Sequence, residues 1–171
     1  QTAEAVANLN NNGHDVRLFV LTGQSGQQEL INYCAKLGLS DNAVICGPVP
    51  HEEVAAFYDL IDIFVVSRPD SRVTRLVTPL KPFEAMAMGR AVIASRLPAL
   101  QEIITEGETG LLFDADNVNS LTETITELIN DNELLRRLGN NAREWVMSNR
   151  TWEVVVQNYQ SAYDKAIESI R

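Results

Sequence analysis

Glu84 and Lys81 sit in the stretch best suited to chemistry, Thr78-Pro79-Leu80-Lys81-Pro82-Phe83-Glu84-Ala85-Met86-Ala87-Met88-Gly89, which runs on into Arg90-Ala91-Val92-Ile93-Ala94-Ser95. The order reads as a loop, a short helix, a glycine stop and a buried strand. The first N–H groups of a helix lack intrahelical acceptors and carry partial positive charge, so an anion is their natural neighbour. Pro82 suits the first helical position and Gly89 the position just past the end. Glu84 then falls in the first turn, beside any such ligand. The same place suits a carboxylate that only complements the helix dipole, and the residues alone leave both readings open.

The elements that position this stretch alternate along the chain. Residues 2–12 form a helix, 16–21 an apolar strand, and Gly23-Gln24-Ser25-Gly26 a turn before a helix over 27–37. A strand over 43–46 ends at Gly47-Pro48-Val49, a helix covers 51–60, and 61–66 is a near-continuous Ile/Val/Phe run of the kind buried on both faces of a sheet. Residues 68–75 show no period and read as a long loop, a common place for function. A helix over 82–88, a strand over 91–94, a short helix over 98–104 and a last strand over 111–113 follow. From residue 117 onward the pattern is helical, over 117–130, 132–147 and 151–169, with Trp152, Val155, Val156, Tyr159 and Tyr163 as an expected buried stripe.

Alternating strands and helices imply an α/β fold, a Rossmann-like parallel sheet flanked by helices, with a helical C-terminal region. Ligands in such folds sit beyond the carboxyl ends of the strands, where the turns at Gly23–Gly26 and Gly47–Val49 and the 68–81 loop converge. Gly23-x-x-Gly26 lacks the full dinucleotide fingerprint and its downstream acid, which disfavours a dinucleotide.

Composition narrows the partners. The 171 residues are 45% hydrophobic and 22% charged, enough for a single domain. A formal charge of −9 with no basic run argues against a sequence-independent grip on nucleic acid. A small phosphorylated ligand remains compatible, because a few N–H groups and one or two cations hold a phosphate locally. No apolar run reaches the ~20 residues of a membrane span. Cys34 and Cys46 lack the spacing of a metal knuckle or redox pair and read as reduced thiols of a cytosolic protein. His14 and His51 have no second ligand nearby, so no metal is expected. His51, just after the Gly47 turn, reads as a polar residue at a helix start, with a role beside the ligand as the alternative.

Taken in order, LTGQSGQQEL…NAVICGPVPHEEVAAFYDLIDIFVVSR, then TPLKPFEAMAMGRAVIAS, then LQEIITEGETGLLFDADN, resemble the C-terminal domain of retaining glycosyltransferases of family 4, the group 1 type with a GT-B fold. The resemblance spans about residues 16–163 and is most specific at Glu84-Ala85-Met86-Ala87-x-Gly89. It implies a nucleotide-diphosphate-sugar donor as substrate, no cofactor, and a second, acceptor-binding domain outside this chain. Glu84 matches the second glutamate of the family's E-x7-E motif, which accepts hydrogen bonds from the donor ribose. Gly47, Pro48 and Val49 match the loop at the base. Gly23, Gln24 and Ser25 match the turn near the diphosphate. Thr78, Pro79 and Leu80 match the loop whose amides meet phosphate and sugar, with Lys81 placed for phosphate charge.

Two departures stand out. Leu76 occupies the place of the first motif glutamate, with Asp70 the nearest upstream carboxylate. The family's strand and loop ahead of the first helix, which bring an Arg and a Lys to the diphosphate, would precede Gln1. The expectation is thus a single nucleotide-sugar-binding domain over 1–171, truncated at its N-terminus, from a cytoplasmic enzyme of glycan or polysaccharide synthesis. An acceptor carried on lipid would place that enzyme at the inner face of a membrane. A non-catalytic relic that keeps the fold is the alternative, and a sugar-nucleotide epimerase is the next.

Overall fold

A computed structural model of the protein describes residues 1–168. The elements run α1 (Thr2–Asn11), β1 (Leu18–Leu21), α2 (Gln24–Lys36), β2 (Ala43–Cys46), a 3-10 turn (His51–Glu53), α3 (Val54–Tyr58), β3 (Ile63–Val66), α4 (Arg72–Leu76), α5 (Lys81–Ala87), β4 (Ala91–Ser95), α6 (Pro98–Gln101), β5 (Leu111–Phe113), α7 (Val118–Asn130), α8 (Asn132–Asn149) and α9 (Trp152–Glu168). All strand pairs are parallel, but they form two sheets, β1-β2 and β3-β4-β5. Among the described residues, β1 and β3 are not hydrogen-bonded to each other. The expected single sheet is therefore divided, and α1 spans the division: its Ala3, Val6 and Ala7 pack with Leu18, while its Ala5 and Leu9 pack with Ala91 and Ile93.

β4 is the keel of the larger sheet, with all five residues buried. Because side chains alternate across a strand, Val92 and Ala94 join Ala85, Met86 and Leu100 on one face. Ala91 and Ile93 meet α1 and the α7 residues Leu121, Ile125 and Leu128 on the other. Each Leu or Ile buried this way contributes about 1.5–3 kcal/mol. α7 starts on the Asn117 side chain, which accepts from the Ser120 N–H, and α8 starts on Asp131, which accepts from Glu133 and Leu134.

Several expectations need correction. The first strand begins at Leu18 rather than 16, because the Asn10 side chain takes both backbone groups of Val16 in hydrogen bonds of 3.0 and 2.9 Å. The helix expected over 51–60 is a 3-10 turn followed by the five-residue α3. α6 covers only Pro98–Gln101 of the expected 98–104. The expected loop over 68–75 contains α4, whose start is a capping box between Ser71 and Thr74. Thr74 is buried and its hydroxyl also donates to the Pro69 carbonyl at 2.6 Å. Hydroxyl pairing, not apolar periodicity, builds that helix.

The stripe expected to be buried on the last helix is open: Trp152 is 81% exposed, and Val156, Tyr159 and Tyr163 are exposed with it. Val155, in the same expected stripe, is half-buried. The expected helix extends to residue 169, which lies outside the described residues. No helix among the described residues is long and apolar enough to cross a membrane.

Candidate functional site

The strands deliver their loops to one edge. α1 begins against the end of β3, where Thr2 Oγ1 and Ser67 Oγ lie 2.8 Å apart, and finishes beside the start of β1, where Asn10 holds Val16. β1 and β3 therefore both run opposite to α1 and point the same way. Asp116, in a left-handed conformation at φ 60°, adds a brace at that edge by accepting from Gln1 Nε2 and from the Asp70 N–H, each at 2.8 Å. The residues following β1, β2 and β3 thus open on a common side of the molecule.

Gly23, Gln24 and Ser25 follow β1 and are exposed. They are not a free turn, because α2 starts at Gln24 and is interrupted at Ser25 (ψ 55°) and Gly26 (φ 162°) before it continues to Lys36. Gln27 links this turn to the next: its Nε2 donates to the Ile45 carbonyl at 3.3 Å, and its Oε1 stands near Gly47. Gly47, Pro48 and Val49 then lead through exposed His51 into α3. α3 is wedged between neighbours, with Phe57 stacked on Phe19 of β1 at 5.9 Å and Tyr58 reaching α5.

The 68–81 excursion is closed by polar ties. The Arg68 N–H donates to Ser95 Oγ at 2.8 Å, Ser95 Oγ donates to the Val66 carbonyl at 3.3 Å, and the Arg68 guanidinium donates to the Val77 carbonyl. Asp70 is committed to Arg75 in a two-pronged ion pair, Nη2 to Oδ2 at 2.6 Å, and that guanidinium holds its carboxyl below the usual carboxylate range. Asp70 is therefore not an idle substitute for the missing glutamate. Leu76, in that glutamate's place, closes α4 with its side chain 72% exposed.

Thr78 leans on the Ala99 carbonyl at 3.5 Å, Pro79 offers no donor, and Leu80 is exposed. α5 begins at Lys81, so Pro82 is its second residue and not its first. The Phe83 N–H turns back to the Leu80 carbonyl at 3.0 Å, while the N–H groups of Leu80 and Lys81 have no acceptor among the described residues. The Lys81 side chain is exposed and makes no ion pair with a described residue. Glu84 is exposed, with Oε2 accepting from the Tyr58 hydroxyl at 2.8 Å and Oε1 open. At the far end Gly89, at φ 70°, closes α5: its N–H meets the Met86 carbonyl and the Arg90 N–H meets the Ala85 carbonyl, a Schellman motif.

Tyr58 was missed by sequence reasoning. In a short helix beside Val54 and Phe57 it reads only as core, and local periodicity cannot pair it with a residue 26 positions away. The structure buries its ring and pushes its phenol well above the usual tyrosine range, through burial first and the Glu84 carboxylate second. The phenol is therefore a proton donor across the whole neutral range. Among the described residues, no group of three or more His, Cys, Asp or Glu converges.

The arrangement is that of an α/β domain with a carboxylate, an ammonium and two amide donors at the carboxyl edge of its strands. The group 1 glycosyl transferase family matches residues 1–145, and the chain belongs to that family. An uncharacterised glycosyltransferase of Methanocaldococcus jannaschii is 33% identical over 139 residues, which make up 81% of this chain and 37% of that protein. The fold is shared with sucrose-phosphate synthase from Thermosynechococcus elongatus, at TM-score 0.83 and 24% identity over 98% of this chain and 42% of that one. Anabaena HepE, solved in complex with UDP-glucose, matches at TM-score 0.74 and 17% identity over 95% of this chain and 44% of its own. The chain spans little more than a third of the length of the curated relatives it matches.

Proposed function

We propose that this chain is the donor-binding part of a longer retaining glycosyltransferase, and that Glu84 receives the ribose hydroxyls of a nucleotide-diphosphate-sugar. The observation that carries the reading is the state of Glu84: one carboxylate oxygen is anchored and the other is open, in the first turn of α5. A carboxylate with free acceptor sites suits a pair of neighbouring hydroxyls. The Leu80 and Lys81 amides and the Lys81 ammonium would take up charge as the diphosphate departs, an electrostatic role that needs no protein nucleophile and, in this reading, no cofactor. Gly47, Pro48 and Val49 would flank the base, and Gly23, Gln24 and Ser25 the diphosphate. The acceptor and any attachment to the inner face of a membrane would belong to the rest of the protein, whose pathway we place in cytoplasmic glycan assembly. The UDP-glucose complex of HepE supports a nucleotide-sugar donor by analogy of fold.

The test is calorimetric titration of the full-length protein with UDP, GDP and ADP. Glu84→Ala should weaken the tightest of them by about 1–3 kcal/mol, roughly five- to 150-fold, as expected for a lost hydrogen-bonded carboxylate. Unchanged affinity in a folded variant overturns the assignment. Retention is read from the anomeric configuration of the product, by NMR, after reaction with the matching nucleotide sugar.

Leu76 supports a second reading, a domain that binds the donor without turning it over. Tight binding with neither transfer nor hydrolysis across a panel of acceptors would favour it.

A further inference from the structure

The geometry points to Tyr58 as the positioning residue for Glu84: its hydroxyl fixes the carboxylate so that Oε1 faces the ligand. This rests on the reading of Glu84 as the acceptor of ribose hydroxyls.

The two residues differ in freedom. Glu84 is an exposed side chain with three rotatable bonds, and left alone it would lose that freedom on binding. Tyr58 has little to lose. It is 8% exposed, its ring lies 5.8 Å from that of Phe64, and it packs among Ala85, Met86 and Val92. The next residues are clamped as well. The Arg90 guanidinium donates to Asp59 Oδ1 at 3.2 Å, to the Ile61 carbonyl at 3.2 Å and to the Met88 carbonyl at 3.1 Å. Those bonds fasten the end of α3 to the end of α5, while the Tyr58–Glu84 bond fastens it to the first turn of α5. A rigid donor therefore meets a mobile acceptor, and it leaves open the oxygen that a ligand would use. Pre-orientation of this kind raises affinity by removing an ordering penalty before the ligand arrives. Burial and the nearby carboxylate keep the phenol protonated, so the tie persists at neutral pH.

A tyrosine that only filled the core would affect all ligands alike, whereas a positioning tyrosine acts on the ribose. The discriminating probes are therefore a ribonucleoside diphosphate and its 2′,3′-dideoxy counterpart, titrated into the full-length protein, with UDP and 2′,3′-dideoxy-UDP or the corresponding pair of the base that binds best. Tyr58→Phe keeps the ring and removes the hydroxyl. It should weaken the ribonucleotide about three- to tenfold, leave the dideoxynucleotide within about twofold, and have no further effect in a Glu84→Ala background.

Equal loss for both nucleotides, or no loss for either, overturns the inference. If wild type shows no preference for ribose and Glu84→Ala has no effect, the reading of Glu84 itself fails. If Glu84→Ala abolishes the preference while Tyr58→Phe keeps it, only the role of Tyr58 fails. A wild-type measurement covers the case of a Phe variant that does not fold. The 13C signal of the Tyr58 ring carbon bearing the hydroxyl should move on saturation with the ribonucleotide more than with the dideoxynucleotide, and equal movement contradicts the inference.

Discussion

A methyl group added at Gly139 tests how the frame beneath the site is assembled. Gly139 lies in the buried face of α8, where a Cβ would stand 2.3 Å from the Gly89 carbonyl oxygen, 3.1 Å from its carbon and 3.5 Å from the Ala91 nitrogen. All three are backbone atoms, at the turn that ends α5 and starts β4, so no flexible side chain can swing aside. Restoring an ordinary contact requires α8 to withdraw by about 1 Å. Overpacking of this kind costs about 1–3 kcal/mol, against roughly 1 kcal/mol gained by alanine over glycine inside a helix. With backbone on both sides the larger cost applies, and Gly139→Ala should destabilise by about 1–2 kcal/mol net. At about 2–4 °C per kcal/mol for a domain of this size, Tm falls by roughly 2–8 °C. Gly23→Ala is the control, since it has no atom within 4 Å and an ordinary φ of −66°. Thermal unfolding of both variants in the full-length protein decides the matter. A Gly139→Ala Tm equal to or above that of Gly23→Ala refutes the packing argument.

Other predictions follow the polar ties. Ser95→Ala removes the acceptor of the Arg68 N–H and a donor to Val66; it should destabilise by about 1–3 kcal/mol by thermal melts and weaken nucleotide binding along with it. Tyr58 has its pKa raised by folding, so its contribution to stability is complete below the ordinary value of 10.0 and is lost as pH climbs above it. Urea melts across that range should show a decline for wild type that Tyr58→Phe reduces, with Tyr33, also raised, left as a shared background.

The parts of this fold legible in sequence were those written in local residue types. The Val/Ile runs at residues 43–46, 63–66 and 91–95 had to be strands, and Gly89 had to end α5, because only its left-handed backbone completes the Schellman bonds economically. α4 was hidden because its signal is a pair of hydroxyls, Ser71 and Thr74, in a polar stretch without period. The divided sheet was hidden because strand pairing is a long-range property that an alternation of strands and helices does not specify. α9 shows the converse: its pattern promised an apolar face, and a pattern cannot say what covers that face. At the candidate site, the place of Glu84 in the first turn of α5 was legible from the motif, while its tie to Tyr58 and the clamp by Arg90 were not. Those bonds span 26 and 29 residues of chain.

On the proposed reading, Glu84 holds the ribose of a donor whose diphosphate rests by the start of α5. A crystal structure of the full-length protein with its tightest-binding nucleoside diphosphate tests it most directly. Ribose hydroxyls should lie within hydrogen-bond reach of the Glu84 carboxylate, with phosphate oxygens beside the Leu80 and Lys81 amides. A nucleotide bound elsewhere, or with its ribose turned away from Glu84, would contradict it.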